Sequence, residues 1–144
     1  MSATQKAGWV EPDRARKAVM TLGKILVVDD EPEVRDVFLE FLSDRGYDII
    51  PAGSGREALV AFQTYKPDLV LLDVQMPDMD GVETLRRILT LDPSVPVIVV
   101  TADADPRITS TLLALGAADY ILKPFDLDGL DQAVSIQLAA AQEH

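Results

Sequence analysis

Four short stretches of this chain carry groups that could do chemistry together. Asp29-Asp30-Glu31, Asp73, Thr101 and Lys123-Pro124 each follow directly on a short apolar run. Three carboxylates (Asp29, Asp30, Asp73) and one ammonium (Lys123) leave a charge of −2 if they are gathered in one place. Two like charges ~4 Å apart repel by about 4 kcal/mol at an effective dielectric near 20, so such a set calls for a cation. Mg²⁺ typically takes one or two carboxylates and completes its shell with water and phosphate oxygens. The donor types therefore fit Mg²⁺-assisted phosphoryl chemistry better than an all-protein calcium cage.

Composition removes the competing chemistries. There is no cysteine, so disulfides, thiolate catalysis and cysteine-held zinc or iron–sulfur are excluded. The only histidine is His144, the last residue, which excludes Ser–His and Cys–His dyads. The 13 basic residues face 24 acidic ones, a net charge of −11 that disfavours direct binding to DNA phosphates or to an anionic membrane. No apolar run approaches the ~18–20 residues of a membrane span, and the first residues lack a secretory apolar segment. A cytoplasmic setting is the expectation.

Each candidate has an ordinary explanation when taken alone. Asp30 can cap the next helix, since Glu31-Pro32-Glu33 reads as a helix start with proline in the first turn. Thr101 is a β-branched strand residue, Lys123 a solvated charge and Tyr120 a core aromatic. Their joint occurrence depends on the elements that carry them. Ile25–Val28, Leu69–Leu72 and Val97–Val100 are continuous apolar runs, with Tyr120–Leu122 shorter and Ile49-Ile50 weakest. Such runs suit strands buried on both faces of a parallel sheet.

Helical spacing separates them. Val34, Val37, Phe38, Phe41 and Leu42 mark the first helix, stopped by Gly46. Ala58, Leu59, Phe62 and Tyr65 mark the second, before Pro67. Val82, Leu85, Ile88 and Leu89 mark the third, closed by Asp92-Pro93. Ile108, Leu112 and Leu115 mark the fourth, stopped by Gly116, and Leu127, Leu130, Val134 and Leu138 the fifth. Five strand–helix repeats with right-handed crossovers give an α/β, doubly wound (βα)5 fold around a parallel five-stranded sheet. Ligands bind such sheets outside the carboxyl ends of the strands, where the four polar groups stand. Residues 1–23 carry a net +2, leaving −13 on the rest, and read as a flexible arm with a short helix near Pro12–Met20, ahead of a domain at 24–144.

The motifs resemble those of response-regulator receiver domains of two-component signalling, the CheY-like superfamily. The resemblance lies in Lys24–Glu31, Leu71–Gly81 (with Met76-Pro77-Asp78-Met79-Asp80-Gly81), Val100-Thr101-Ala102 and Gly116–Phe125, in order, within about 24–138. It implies the flavodoxin-like strand order 2-1-3-4-5. It also implies that Asp73 is the phosphoacceptor for a partner histidine kinase or histidine phosphotransfer protein. Asp29, Asp30, Asp73 and the Gln75 backbone carbonyl would hold Mg²⁺. Lys123 would pair with the phosphoryl group, through a cis Lys123-Pro124 step. Thr101 and Tyr120 would form the switch, and Gln75 and Asp103 would tune loss of the phosphoryl group.

On this reading the protein is a stand-alone signalling switch, not an enzyme in the usual sense, that assists its own aspartyl phosphorylation and dephosphorylation. It would present the surface of its fourth helix, fifth strand and fifth helix to a downstream protein. Between Phe125 and Gln142 there is no Lys or Arg, unlike the OmpR-like subfamily that pairs charges across this face, so a monomer or weak homodimer is expected. Two other readings compete. A phosphorylation-independent interaction module would not need the complete site. A haloacid-dehalogenase-type Mg²⁺ hydrolase would carry Asp-x-Asp after the first strand, where Asp29 and Asp30 are adjacent.

Overall fold

Branched aliphatic runs form the strands because both of their faces can be buried. In the computed structural model, which describes residues 21–75 and 81–142, the elements alternate without exception. They are β1 (Lys24–Val28), α1 (Pro32–Asp44), β2 (Asp48–Ala52), α2 (Gly55–Tyr65), β3 (Leu69–Asp73), α3 (Gly81–Leu91), β4 (Val97–Thr101), α4 (Pro106–Ala114), β5 (Asp119–Leu122) and α5 (Leu127–Gln142). All pairings are parallel and the order is β2-β1-β3-β4-β5, as expected. The expected helix near Pro12–Met20 and the residues Met76–Asp80 lie outside the described residues. Thr21–Gly23 do not stand apart from the domain: Leu22 N–H donates to Gly46 O (2.9 Å), and Gly23 O accepts from Asp48 N–H (2.9 Å).

Side chains alternate across a strand, so each strand feeds two cores. Ile25, Val27, Leu69, Leu71 and Ile98 pack with Phe38 and Leu42 of α1 and with Leu130, Val134 and Leu138 of α5. Leu26, Val28, Val70, Leu72, Val97 and Val99 pack with Ala58 and Phe62 of α2, Leu85 and Ile88 of α3 and Leu112 of α4. The sheet thus has α1 and α5 on one face and α2, α3 and α4 on the other. Three residues read as helix core lie at the rims of their stripes: Val37, Tyr65 and Ile108 are exposed. The buried stripe of each helix is narrower than its apolar pattern.

The helix ends follow local chemistry. Ser54 caps α2 by accepting from Glu57 N–H (3.1 Å), and Asp105 caps α4 ahead of Pro106 by accepting from Arg107 N–H (2.9 Å). Gly46 and Gly116 follow α1 and α4 at φ +102° and +114°, which a side chain rarely adopts. The cap of α1 is Glu31, which makes no side-chain cap bond, so Asp30 is not spent on the helix start.

Candidate functional site

The carboxyl ends of β1, β3, β4 and β5 bring five side chains to one edge: Asp29, Asp30, Asp73, Thr101 and Lys123. Asp29 and Asp73 are almost wholly buried, at 1% and 3% exposure, while Asp30 is partly exposed beside them. One carboxylate oxygen from each of Asp29, Asp30 and Asp73 lies within 4.8 Å of the other two. Lys123 reaches over from the end of β5, placing Nζ 3.4 Å from Asp73 Oδ2 and 3.5 Å from Asp29 Oδ2. The two buried carboxylates therefore share one ammonium.

The other oxygens are held by the backbone. Asp29 Oδ1 accepts from Glu31 N–H (2.9 Å), and Asp73 Oδ1 accepts from Gln75 N–H (2.9 Å). Both turns fix χ angles and aim Oδ2 into the cluster. Asp29 Oδ2 is buried with no hydrogen-bond partner beyond the ammonium at 3.5 Å. A buried carboxylate oxygen left this way costs free energy, and the hard-oxygen donor set fits a divalent cation such as Mg²⁺. Burial pushes the Asp73 carboxyl above its ordinary value, Asp29 adds to the rise, and the Gln75 amide and Lys123 oppose it. Burial alone would lower Lys123, but Asp73 and Asp29 outweigh it and raise its pKa.

Lys123 is aimed by its surroundings. Its N–H donates to Thr101 O (2.8 Å), the Lys123–Pro124 peptide is cis, and Phe125 stacks on Phe38 of α1 with centroids 5.6 Å apart. Thr101 is fully buried at the end of β4, and its Oγ1 accepts from Asp103 N–H (3.0 Å). Tyr120 pairs with Val99 across β4–β5 and packs half-buried on the core beneath α2, α3 and α4. The exposed Gln75 reaches the β4–α4 loop, where its Oε1 accepts from Ala102 N–H (3.0 Å). Asp103 is exposed, with Oδ1 accepting from Asp105 N–H (3.0 Å). Asp29, Asp73 and Lys123 are thus in direct contact and Asp30 adjoins them. Thr101 and Gln75 border the cluster, while Asp103 is engaged by its own loop. The links from Gln75 to Ala102 and from Phe38 to Phe125 carry no local sequence signal, because both join residues far apart in the chain.

Residues 25–135 match the response regulator receiver domain family. The chain belongs to that family. The receiver is 39% identical over 111 residues to sporulation initiation phosphotransferase F of Bacillus subtilis (strain 168), covering 77% of this chain and 90% of that protein. It is 40% identical over 113 residues to the regulatory protein AtoC of Escherichia coli (strain K12), covering 78% of this chain and 24% of AtoC. It spans about a quarter of the length of AtoC and ZraR and half that of DctR. Among solved structures, a CheY-like receiver from Methanospirillum hungatei superposes with a TM-score of 0.81 at 30% identity, covering 85% of this chain and 98% of that one. NtrX from Brucella abortus gives 0.78 at 33% identity over 83% of this chain and 28% of its own. The receiver is thus of the kind found in two-component response regulators. Receivers generally bind Mg²⁺ at an acidic pocket, and Asp29, Asp30 and Asp73 form such a pocket. No described helix is long and apolar enough to cross a membrane.

Proposed function

We propose that the receiver accepts a phosphoryl group on Asp73 from a phosphohistidine of a histidine kinase or histidine phosphotransfer protein. The observation that carries this reading is the Lys123 ammonium bridging two buried carboxylates, 3.4 Å from Asp73 and 3.5 Å from Asp29. Phosphoryl transfer is chiefly positioning and charge neutralisation, so a fixed carboxylate beside a fixed cation is adequate machinery. Asp29, Asp30, Asp73 and the Gln75 carbonyl would hold Mg²⁺, which would neutralise charge on the transferring group. Asp73 Oδ2 is the nucleophile, because Oδ1 is held by the Gln75 amide. Lys123 then pairs with a phosphoryl oxygen in place of the free carboxylate.

The new group adds roughly −1.5 to −2 charge and three acceptor oxygens. Thr101 is the hydroxyl placed to give up its Asp103 contact and turn toward it, with Tyr120 following on the neighbouring strand. The surface of α4, β5 and α5 changes with them and meets a downstream protein. Gln75 and Asp103 tune loss of the phosphoryl group; an unchanged dephosphorylation rate in Asp103→Ala removes Asp103 from that role. The net acidic charge supports a protein-to-protein relay without DNA contact by this domain.

The test is incubation with acetyl phosphate and Mg²⁺ followed by intact mass. A gain of one phosphoryl group in wild type that is absent in Asp73→Asn is expected. No gain in wild type points to a phosphorylation-independent module, and turnover without an adduct points to a hydrolase.

A further inference from the structure

We propose that Arg35 is a positioning residue for the acidic pair, holding the Asp29–Asp30 peptide in the geometry that receives Mg²⁺. The inference rests on the reading of Asp29, Asp30 and Asp73 as the metal pocket. Arg35 lies in the first turns of α1, half-buried, and its Nη1 donates to the backbone carbonyl of Asp29 (2.5 Å). That carbonyl belongs to the peptide joining Asp29 to Asp30. The Asp29 amide is pinned separately, donating to Ala52 O (3.1 Å), and its Oδ1 closes the turn on Glu31 N–H. Arg35 is therefore the side chain that fixes the one remaining polar atom of Asp29 pointing away from the pocket.

The guanidinium sits in a slot that the β2–α2 turn leaves open for it. A Cβ on Gly53 would lie 3.0 Å from Nη1 and 3.4 Å from Cζ of Arg35. Glu57 lines the same slot: its Oε1 is 3.5 Å from that point and accepts from Gly53 N–H (2.8 Å). Gly53 of the turn and Glu57 of α2 thus border the Arg35 guanidinium, which alone of the three reaches the Asp29 carbonyl. Without metal, three carboxylates repel one another across less than 5 Å, and the exposed member, Asp30, has the most freedom to swing out. Clamping its preceding peptide keeps that carboxylate at the pocket before the cation arrives.

Positioning and charge make opposite predictions. A cation near a Mg²⁺ site repels the metal, so removing it as a mere charge tightens Mg²⁺ binding; removing it as a clamp weakens binding. The experiment is an Mg²⁺ titration of the full chain followed by the amide signals of Asp29–Glu31, beside thermal melting in EDTA. Loss of a charge-assisted hydrogen bond that orients a ligand is expected to weaken Mg²⁺ binding by about five- to thirtyfold in Arg35→Met. Arg35→Lys keeps the charge without the planar fork and is expected to lose about threefold or more. Tighter binding in Arg35→Met overturns the proposal, as does unchanged affinity with a lowered melting temperature, which marks a purely structural contact. If Arg35→Met does not fold, Arg35→Lys decides, and unchanged affinity there overturns the role. A wild type that binds no Mg²⁺ overturns the pocket reading and this role together, whereas wild-type binding with unaltered variants overturns this role alone.

Discussion

Replacing Lys123 by methionine keeps the aliphatic stem and removes the ammonium that Asp29 and Asp73 share. At 3.4 and 3.5 Å, and an effective dielectric near 20, each attraction is worth about 5 kcal/mol before desolvation is counted. Lys123 is 25% exposed, so water screens part of this and the ammonium has lost only part of its hydration. Breaking a fully buried pair costs about 3–5 kcal/mol; the open side of this one brings the expectation to about 2–3 kcal/mol. For a domain of this size that is roughly 10 °C of melting temperature in EDTA.

Saturating Mg²⁺ brings two positive charges to the same carboxylates, so the deficit should shrink to a few degrees. Equivalently, Lys123→Met should bind Mg²⁺ about tenfold more tightly, since tenfold corresponds to about 1.4 kcal/mol. The Lys123 pKa is raised by the carboxylates, so its contribution is complete below the ordinary lysine range and lost only as pH rises through the higher folded value. The deficit should therefore be flat from neutrality to mildly alkaline pH. Scanning calorimetry in EDTA and in Mg²⁺ reads all three quantities. A variant as stable as wild type without metal, or one whose deficit Mg²⁺ leaves intact, would show that the ammonium is not what balances these acids.

Other expectations follow from the same geometry. Burial and Asp29 raise the Asp73 carboxyl, so its ionised form costs stability above that folded value; Asp73→Asn should raise the EDTA melting temperature by a few degrees at neutral pH, and the gain should vanish in acid. A pH-independent gain, or a loss, contradicts this. Gly81→Ala would set Cβ 2.2 Å from Val74 Cα, a backbone atom one residue beyond Asp73, so a urea midpoint should record a loss of about 2–3 kcal/mol. Gln75→Ala frees the Ala102 N–H; stability should move by no more than about 1 kcal/mol while the Ala102 amide resonance shifts clearly, and an unmoved resonance denies the contact.

The fold was legible because the strands are written as unbroken aliphatic runs and the helices as periodic stripes. What the stripes overstated was their width, since Val37 and Tyr65 share the apolar spacing yet remain exposed. The acids and Lys123 were legible because strand ends point to one edge once the topology is parallel. Asp30 was ambiguous in sequence, as a cap and as a ligand, and only the placement of Glu31 as the cap of α1 separates the two. Arg35 had no signature at all. It acts on a backbone carbonyl, and its slot depends on Gly53, which arrives from the turn after β2, far along the chain.

The two apolar clusters flanking the sheet have no side chain in common; they meet only through the backbone of the strands between them. Ile98 and Val99 are neighbours in sequence but belong to different clusters. Volume lost under α1 and α5 cannot be refilled from the side of α2, α3 and α4, and strain on one side is not relieved by the other. Substitutions in the two halves should therefore combine additively, within about 0.5 kcal/mol. Over evolutionary time, each half of such a molecule can drift without asking the other for a compensating change.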